Sequence, residues 1–239
     1  MAAVRAGAAT LTATVSPAAY WGFVAAGAVL CAGLCLGARA RPGPWRPVAA
    51  RVIGVLLLAD AISDGVALAL QGTWSARTSL PLPLCDVAVL VAVGACWWRT
   101  PLLVELTYFW GLAGTLQAVV TPDLDVGFPH LVFFQYVVGH VGIVVAALFL
   151  VVGMRLVPGP HAVARVFVLT AAYTAVVGLV DGLSGANYMF LRAPPGEWTV
   201  LRLLGPWPWY VMSATGVALV LLVVLDLPFR AGRRAATTR

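Results

Sequence analysis

The chain has 239 residues, of which 62% are hydrophobic and 10% charged, with a net charge of +6. A soluble domain is roughly 45–50% apolar and about 25% charged, so a water-soluble globule is excluded and an integral membrane protein is indicated. All 15 basic residues are arginine, spread over short loops and the C-terminal end, which offers no single basic face to a nucleic acid.

Residues 1–17 are rich in Ala and Thr and lack the ordered charged, apolar and cleavage-site regions of a signal peptide, so they read as a short tail. Seven apolar spans follow, at about 18–38, 48–70, 80–98, 101–120, 130–153, 163–183 and 207–229, ahead of a basic tail at 230–239. The expected fold is an all-α polytopic transmembrane helical bundle. The third span reaches a membrane-crossing length only if it begins near Leu80. Cys31, Cys35, Cys85 and Cys96 all lie in apolar runs without metal-type spacing, so neither a disulfide framework nor a metal site is expected, and no cofactor motif is present. Cys31 and Cys35 read as small packing residues.

Arginine placement orients the bundle. With the C-terminus inside, Arg39, Arg41, Arg46, Arg51, Arg99, Arg155, Arg165, Arg230, Arg233, Arg234 and Arg239 are cytoplasmic. Arg5, Arg77, Arg192 and Arg202 are then outside, a split of 11 to 4 in the sense of the positive-inside rule. The odd number of spans puts the N-terminus outside, in a multi-pass cell-membrane protein.

Ionisable groups at membrane depth are costly and mark candidate sites. Asp60, Asp64, Asp86, Glu105, Gln117, His140, Asp181 and Asn187 lie within or at the ends of the spans. Asp60 and Asp64 are one turn apart and should share a face turned to the bundle. Glu105 reads as a favourable carboxylate near a helix start, and Asp226 as interfacial beside Arg230. On the sixth span Thr170, Thr174, Val177, Asp181, Ser184 and Tyr188 form one stripe that faces protein or water. A plain hydrogen-bonded helix contact has the same spacing.

Leu80-Pro81-Leu82-Pro83-Leu84-Cys85-Asp86 sets a thiol and a carboxyl just after two prolines. Proline is tolerated in the first helical turn, so Cys85 and Asp86 should sit in the first turn or two of a buried helix. Unpaired N–H groups at a helix start favour an anion there. Cysteine is nevertheless most often an inert buried residue. His140 is the histidine deepest in a span, and histidine is the usual activator of a cysteine nucleophile. A lone buried histidine can equally be structural.

Longer strings carry a resemblance. Leu80-Pro81-Leu82-x-Leu84-Cys85-Asp86, Glu105-Leu106-x-Tyr108-Phe109-Trp110-Gly111-Leu112-Ala113-Gly114-Thr115-Leu116-Gln117-Ala118 and Thr121-Pro122-Asp123 come first. Phe134-Gln135, Gly139-His140, Gly185-Ala186-Asn187-Tyr188-Met189 and Gly205-Pro206-Trp207-Pro208-Trp209-Tyr210 follow. From about Leu80 to Phe229 the chain resembles the YwaF-like family of multi-pass membrane proteins, which includes the animal transmembrane protein 164. The resemblance implies a bundle of six or seven spans. From the animal branch it implies a lipid acyltransferase with a membrane cysteine and a histidine partner, which fall on Cys85 and His140. For bacterial members the resemblance implies a polar residue, often His, two before the cysteine; this chain departs from that with Pro83.

Three functions compete. In an acyltransferase, Cys85 attacks a membrane lipid ester with His140 as base. Asp86 or Asp181 orients the imidazole, and Asn187, Tyr188 or Gln117 supplies a polar contact to the reacting group. In a proton-coupled transporter, Asp60, Asp64, Asp86, His140 and Asp181 are titrating waypoints. In a scaffold, the polar groups only fix helix packing. The first requires Cys85 and His140 to come within hydrogen-bond reach, directly or through one water.

Overall fold

The computed structural model describes residues 16–124, 126–194 and 203–237, with side chains described as far as Arg230. Residues 1–15 of the tail expected at 1–17, with Arg5, and also Asp125, Arg202, Arg239 and the side chains of Arg233 and Arg234 fall outside the described set, while Pro17 already belongs to the first helix. The described residues form no strand. Seven helices follow in chain order: α1 Pro17–Ala40, α2 Trp45–Leu70, α3 Leu84–Trp98, α4 Pro101–Val120, α5 Leu131–Gly153, α6 Ala162–Ser184 and α7 Trp209–Thr237. Six are long and apolar enough to cross a bilayer, while α3 has only 15 residues. The protein is an all-α polytopic membrane bundle.

Local chemistry explains the helix ends. Pro17 and Pro101 occupy first-turn positions of α1 and α4, where a missing N–H loses nothing. At the N-terminus of α5, His130 Nδ1 accepts the Val132 N–H at 3.3 Å. Gly185, at φ 73°, closes α6 in the left-handed conformation that glycine adopts without cost. α3 begins at Leu84 rather than Leu80, because a proline biases its predecessor away from helical angles and Leu82 precedes Pro83. Pro83 is itself extended, at φ −53° and ψ 142°. Leu84, Cys85 and Asp86 therefore form the first turn of α3.

α4 and α5 form the centre of the bundle. Over half of the residues in their apolar stretches are buried, against fewer than a fifth in α1, α2, α6 and α7. The latter turn apolar faces outward, as a lipid environment requires. Phe109, Phe133, Phe149, Ile143 and Leu57 are fully buried. Each central helix contains one wider turn, a π turn, at Gly111–Thr115 in α4 and Phe149–Gly153 in α5. Small residues let the helices approach closely. A Cβ on Gly54 of α2 would lie 3.0 Å from Cys96 Cβ of α3, and one on Gly111 would lie 3.2 Å from Ile143 Cγ2 of α5.

Two charge placements refine the sequence reading. Glu105 lies in the second turn of α4, 1% exposed, rather than at a solvated helix start. Its carboxylate accepts Arg165 Nε and Nη2 at 3.1 and 2.6 Å and the Gly159 N–H at 3.0 Å. It thereby fastens the start of α6 to α4. Asp226 accepts from Arg230 Nε at 2.8 Å, one turn away on α7. The α6 stripe faces protein: Thr170 Oγ1 accepts the Trp110 indole N–H at 2.8 Å, and Val177 and Asp181 are fully buried.

Candidate active site

Cys85 is half-buried in the first turn of α3, with its thiol beside the Thr115 side chain. Thr115 closes the π turn of α4. A π turn adds a residue to a helical turn and is frequent where a side chain must be re-aimed. The segment leading into Cys85 is held from α6 and the turn after it. Tyr188 Oη accepts the Leu80 N–H at 2.9 Å and donates to Ala76 O at 3.1 Å. Tyr173 Oη donates to Leu82 O at 2.7 Å.

On α5, Tyr136 lies within electrostatic range of Cys85 and stacks on His140, with ring centroids 4.1 Å apart and planes 24° from parallel. Tyr136 Oη donates to Ala118 O at 2.8 Å and accepts the Asp123 N–H at 3.3 Å, which ties α5 to the end of α4. His140 Nδ1 lies 2.8 Å from the Tyr136 carbonyl. A carbonyl only accepts, so Nδ1 carries the proton and the neutral ring presents Nε2 as its basic nitrogen. Among the described residues no hydrogen bond joins His140 to Cys85. Tyr136 is linked to both, by stacking to His140 and electrostatically to Cys85.

The acidic residues divide into two groups. Asp60 and Asp64 lie on the side of α2 that meets α5 and α3. A Cβ on Gly139 would stand 3.0 Å from Asp60 Oδ2, and Asp64 acts electrostatically on both Asp60 and Asp86. Asp64 and Asp86 are exposed to solvent-accessible space, while Asp60 is half-buried. Asp181 stands apart from them. It is fully buried, its Oδ1 accepts the Tyr188 N–H at 2.9 Å, and its Oδ2 has no hydrogen bond. Its bond thus goes to the backbone of Tyr188 and not to the imidazole, whose Nδ1 is oriented by the Tyr136 carbonyl.

Asn187 and Gln117 serve local turns, while Tyr188 reaches across to the segment before α3. Asn187 Nδ2 donates to Ala193 O, and its Oδ1 accepts the N–H groups of Arg192 and Ala193. Gln117 donates to Ala113 O one turn back on α4. Tyr188 uses its hydroxyl on Leu80 and Ala76. Among the described residues no group of three His, Cys, Asp or Glu side chains could hold a metal ion. Thr115, Tyr136 and Tyr173 escaped the sequence reading. Tyr136 carried a signal in its spacing, four residues before His140 on the same helix face. The role of Thr115 depends on the π turn, which the sequence pattern does not reveal.

An apolar cleft of about 360 Å³ runs between α1, α4 and α5, lined among others by Val24, Cys31, Leu116, Val119 and Val141. It begins one residue from Thr115. A cavity of about 550 Å³ lies at the opposite end of the bundle between α6 and α7, lined by His161, Phe167, Asp226 and Arg230 among others.

The profile of the TMEM164 family matches residues 11–226, which takes in all seven helices apart from the end of α7. The chain belongs to the TMEM164 family. It is also similar to an uncharacterized protein of Treponema pallidum (strain Nichols), 28% identical over 178 residues that cover 73% of this chain and 69% of that protein. No solved structure matches the chain.

Proposed function

We propose that this protein transfers an acyl group between membrane lipids through Cys85. The observation that supports the reading is Tyr136, which lies within electrostatic range of Cys85 and stacks on His140, whose imidazole is locked with Nε2 as its base. In this mechanism His140 takes the Cys85 proton as sulfur attacks the lipid ester carbonyl. The C–O bond to the glycerol oxygen breaks, His140 returns the proton to that oxygen, and a thioester remains on Cys85. An acceptor hydroxyl then gives its proton to His140, attacks the thioester and releases the thiolate, which His140 reprotonates. In this reading Thr115, beside the thiol, and the N–H of Cys85 at the helix start donate to the developing oxyanion. The apolar cleft beside Leu116 suits an acyl chain arriving from the bilayer. The arginine distribution supports a cell-membrane orientation with the N-terminus outside, which puts this site in the outer half.

Incubating the purified protein with an alkyne-tagged phospholipid tests the covalent step. A hydroxylamine-sensitive adduct is expected on the wild type, absent in Cys85→Ala and strongly reduced in His140→Ala. No wild-type adduct, or one that survives Cys85→Ala, overturns the reading.

The coupling of Asp64 to both Asp60 and Asp86 across α2 and α3 favours a second reading, a proton-coupled transporter. Asp64→Asn should then abolish a pH-dependent substrate flux in reconstituted vesicles. A flux that Asp64→Asn leaves intact removes that reading.

A further inference from the structure

We propose that Tyr188 and Tyr173, with Asp181 behind Tyr188, are positioning residues that hold the Cys85 turn at its working depth. The argument starts from length. The 15 residues of α3 reach about 22 Å at 1.5 Å per residue, short of a hydrocarbon core of about 30 Å. The non-helical, bent segment Leu80–Pro83 leads into α3, and in this proposal it enters the edge of the apolar layer. Such backbone is tolerated only where protein satisfies its polar groups.

This segment is poor in internal partners. Pro81 and Pro83 have no N–H. The Leu82 N–H is spent within the turn, on Leu80 O at 2.7 Å, and Pro83 O accepts from Asp86 and Val87 as α3 begins. The tyrosine hydroxyls meet the Leu80 N–H and the Leu82 carbonyl, and Tyr188 also reaches the Ala76 carbonyl just upstream, while the Pro81 carbonyl belongs to an exposed residue. Those bonds join residues 91 to 112 positions apart, so they fix the Cys85 turn against α6 and not merely against its own helix.

Tyr188 is seated in turn by Asp181. α6 ends at Gly185, the chain doubles back, and Asp181 Oδ1 takes the Tyr188 N–H across that reversal at 2.9 Å. The Tyr188 ring, 5% exposed, packs with Val177, Ala186, Leu80 and Leu82. Tyr173 also stands within electrostatic range of Asp86, the neighbour of the thiol. The line Asp181, Tyr188, Leu80 thus runs from the last turns of α6 to the segment that leads into Cys85. Its part in acyl transfer rests on the reading of Cys85 as the nucleophile; the placing of the thiol does not.

The test uses the full chain in lipid nanodiscs, with Tyr188→Phe, Tyr173→Phe and the double variant, each of which removes only hydroxyls. Thr215→Ala serves as a control, since that exposed hydroxyl bonds only to Val211 O of its own helix. Three quantities are read: hydrogen exchange over residues 76–86, the pH profile of Cys85 alkylation mapped by mass spectrometry, and the lipid adduct. Tyr173→Phe should speed exchange over 76–86 about five-fold, the scale of one lost hydrogen bond, and Tyr188→Phe, which loses two, should speed it further, while α5 and α7 keep their wild-type rates. The midpoint of the Cys85 alkylation profile should be displaced in both and further in the double variant, with the adduct reduced. Thr215→Ala should change none of these. Wild-type exchange and alkylation profiles in the double variant would overturn the inference. So would exchange accelerated equally in every helix, which is general loosening. If wild type forms no lipid adduct, the acyltransferase reading falls while exchange and alkylation still decide the positioning role.

Discussion

At the scale of single residues, two side chains show how a buried polar group is held by geometry. His140 donates from Nδ1 to the carbonyl one turn back and stacks on Tyr136, so its orientation comes from its own helix. Asparagine places an amide N–H close to where Nδ1 lies but has no basic nitrogen. His140→Asn should therefore keep the fold and lower the rate of adduct formation by about 10²–10⁴-fold, the usual contribution of a general base. Time courses of adduct labelling beside thermal unfolding check it, and an unchanged rate would show that the imidazole is only structural. Glu105 accepts three hydrogen bonds at 1% exposure, two of them from Arg165, whose side chain is 44% exposed. Because the arginine keeps contact with solvent, losing the carboxylate charge leaves no fully buried cation. Glu105→Gln should cost about 1–3 kcal/mol, visible as a lower unfolding midpoint in detergent.

At the scale of elements, glycine sets how closely the helices cross. Gly54 brings α2 onto α3 with no room for a side chain, against Cys96 and Trp97. Gly54→Leu should overpack this crossing and destabilise the protein by about 1–3 kcal/mol, measurable by denaturant unfolding in mixed micelles. The same change should also disturb the Cys85 site, since α3 is the helix displaced. Leu at the lipid-facing Val55 position, 51% exposed, should be tolerated by comparison. The π turn in α4 works at this scale too. It shifts the register of everything after Gly111, which is how Thr115 comes to face the thiol while Leu116 lines the apolar cleft.

At the scale of the whole molecule, the arginines of the α1–α2, α3–α4 and α5–α6 connections gather at one end, where Arg46 also donates to Met154 O. We propose that this end is cytoplasmic, with the C-terminus on the same side. A C-terminal fluorescent fusion should be bright and a C-terminal alkaline phosphatase fusion inactive. The opposite pattern would invert the bundle and move Cys85 to the inner half. The chain also shows why a short helix can sit among long ones. In our proposal the Leu80–Pro83 segment completes the crossing of α3, with neighbouring tyrosines bonding to its backbone.

The sequence by itself determined the membrane class, the all-α bundle, the family and the start of a helix at the Cys85 turn. Apolar runs of spanning length and proline stereochemistry are local properties, and they survive whatever the neighbours do. The spacing of Asp60 and Asp64 likewise placed them on one face. It could not determine partners. Asp181 and His140 looked alike as lone buried polar groups, yet one takes a backbone N–H after a chain reversal and the other is oriented by its own helix. Thr115, Tyr136 and Tyr173 became neighbours of the Cys85 turn only through a π turn and through contacts between residues far apart in the chain. Such contacts depend on the relative rotation and depth of whole helices, which packing at Gly54 and Gly111 decides and no local pattern encodes.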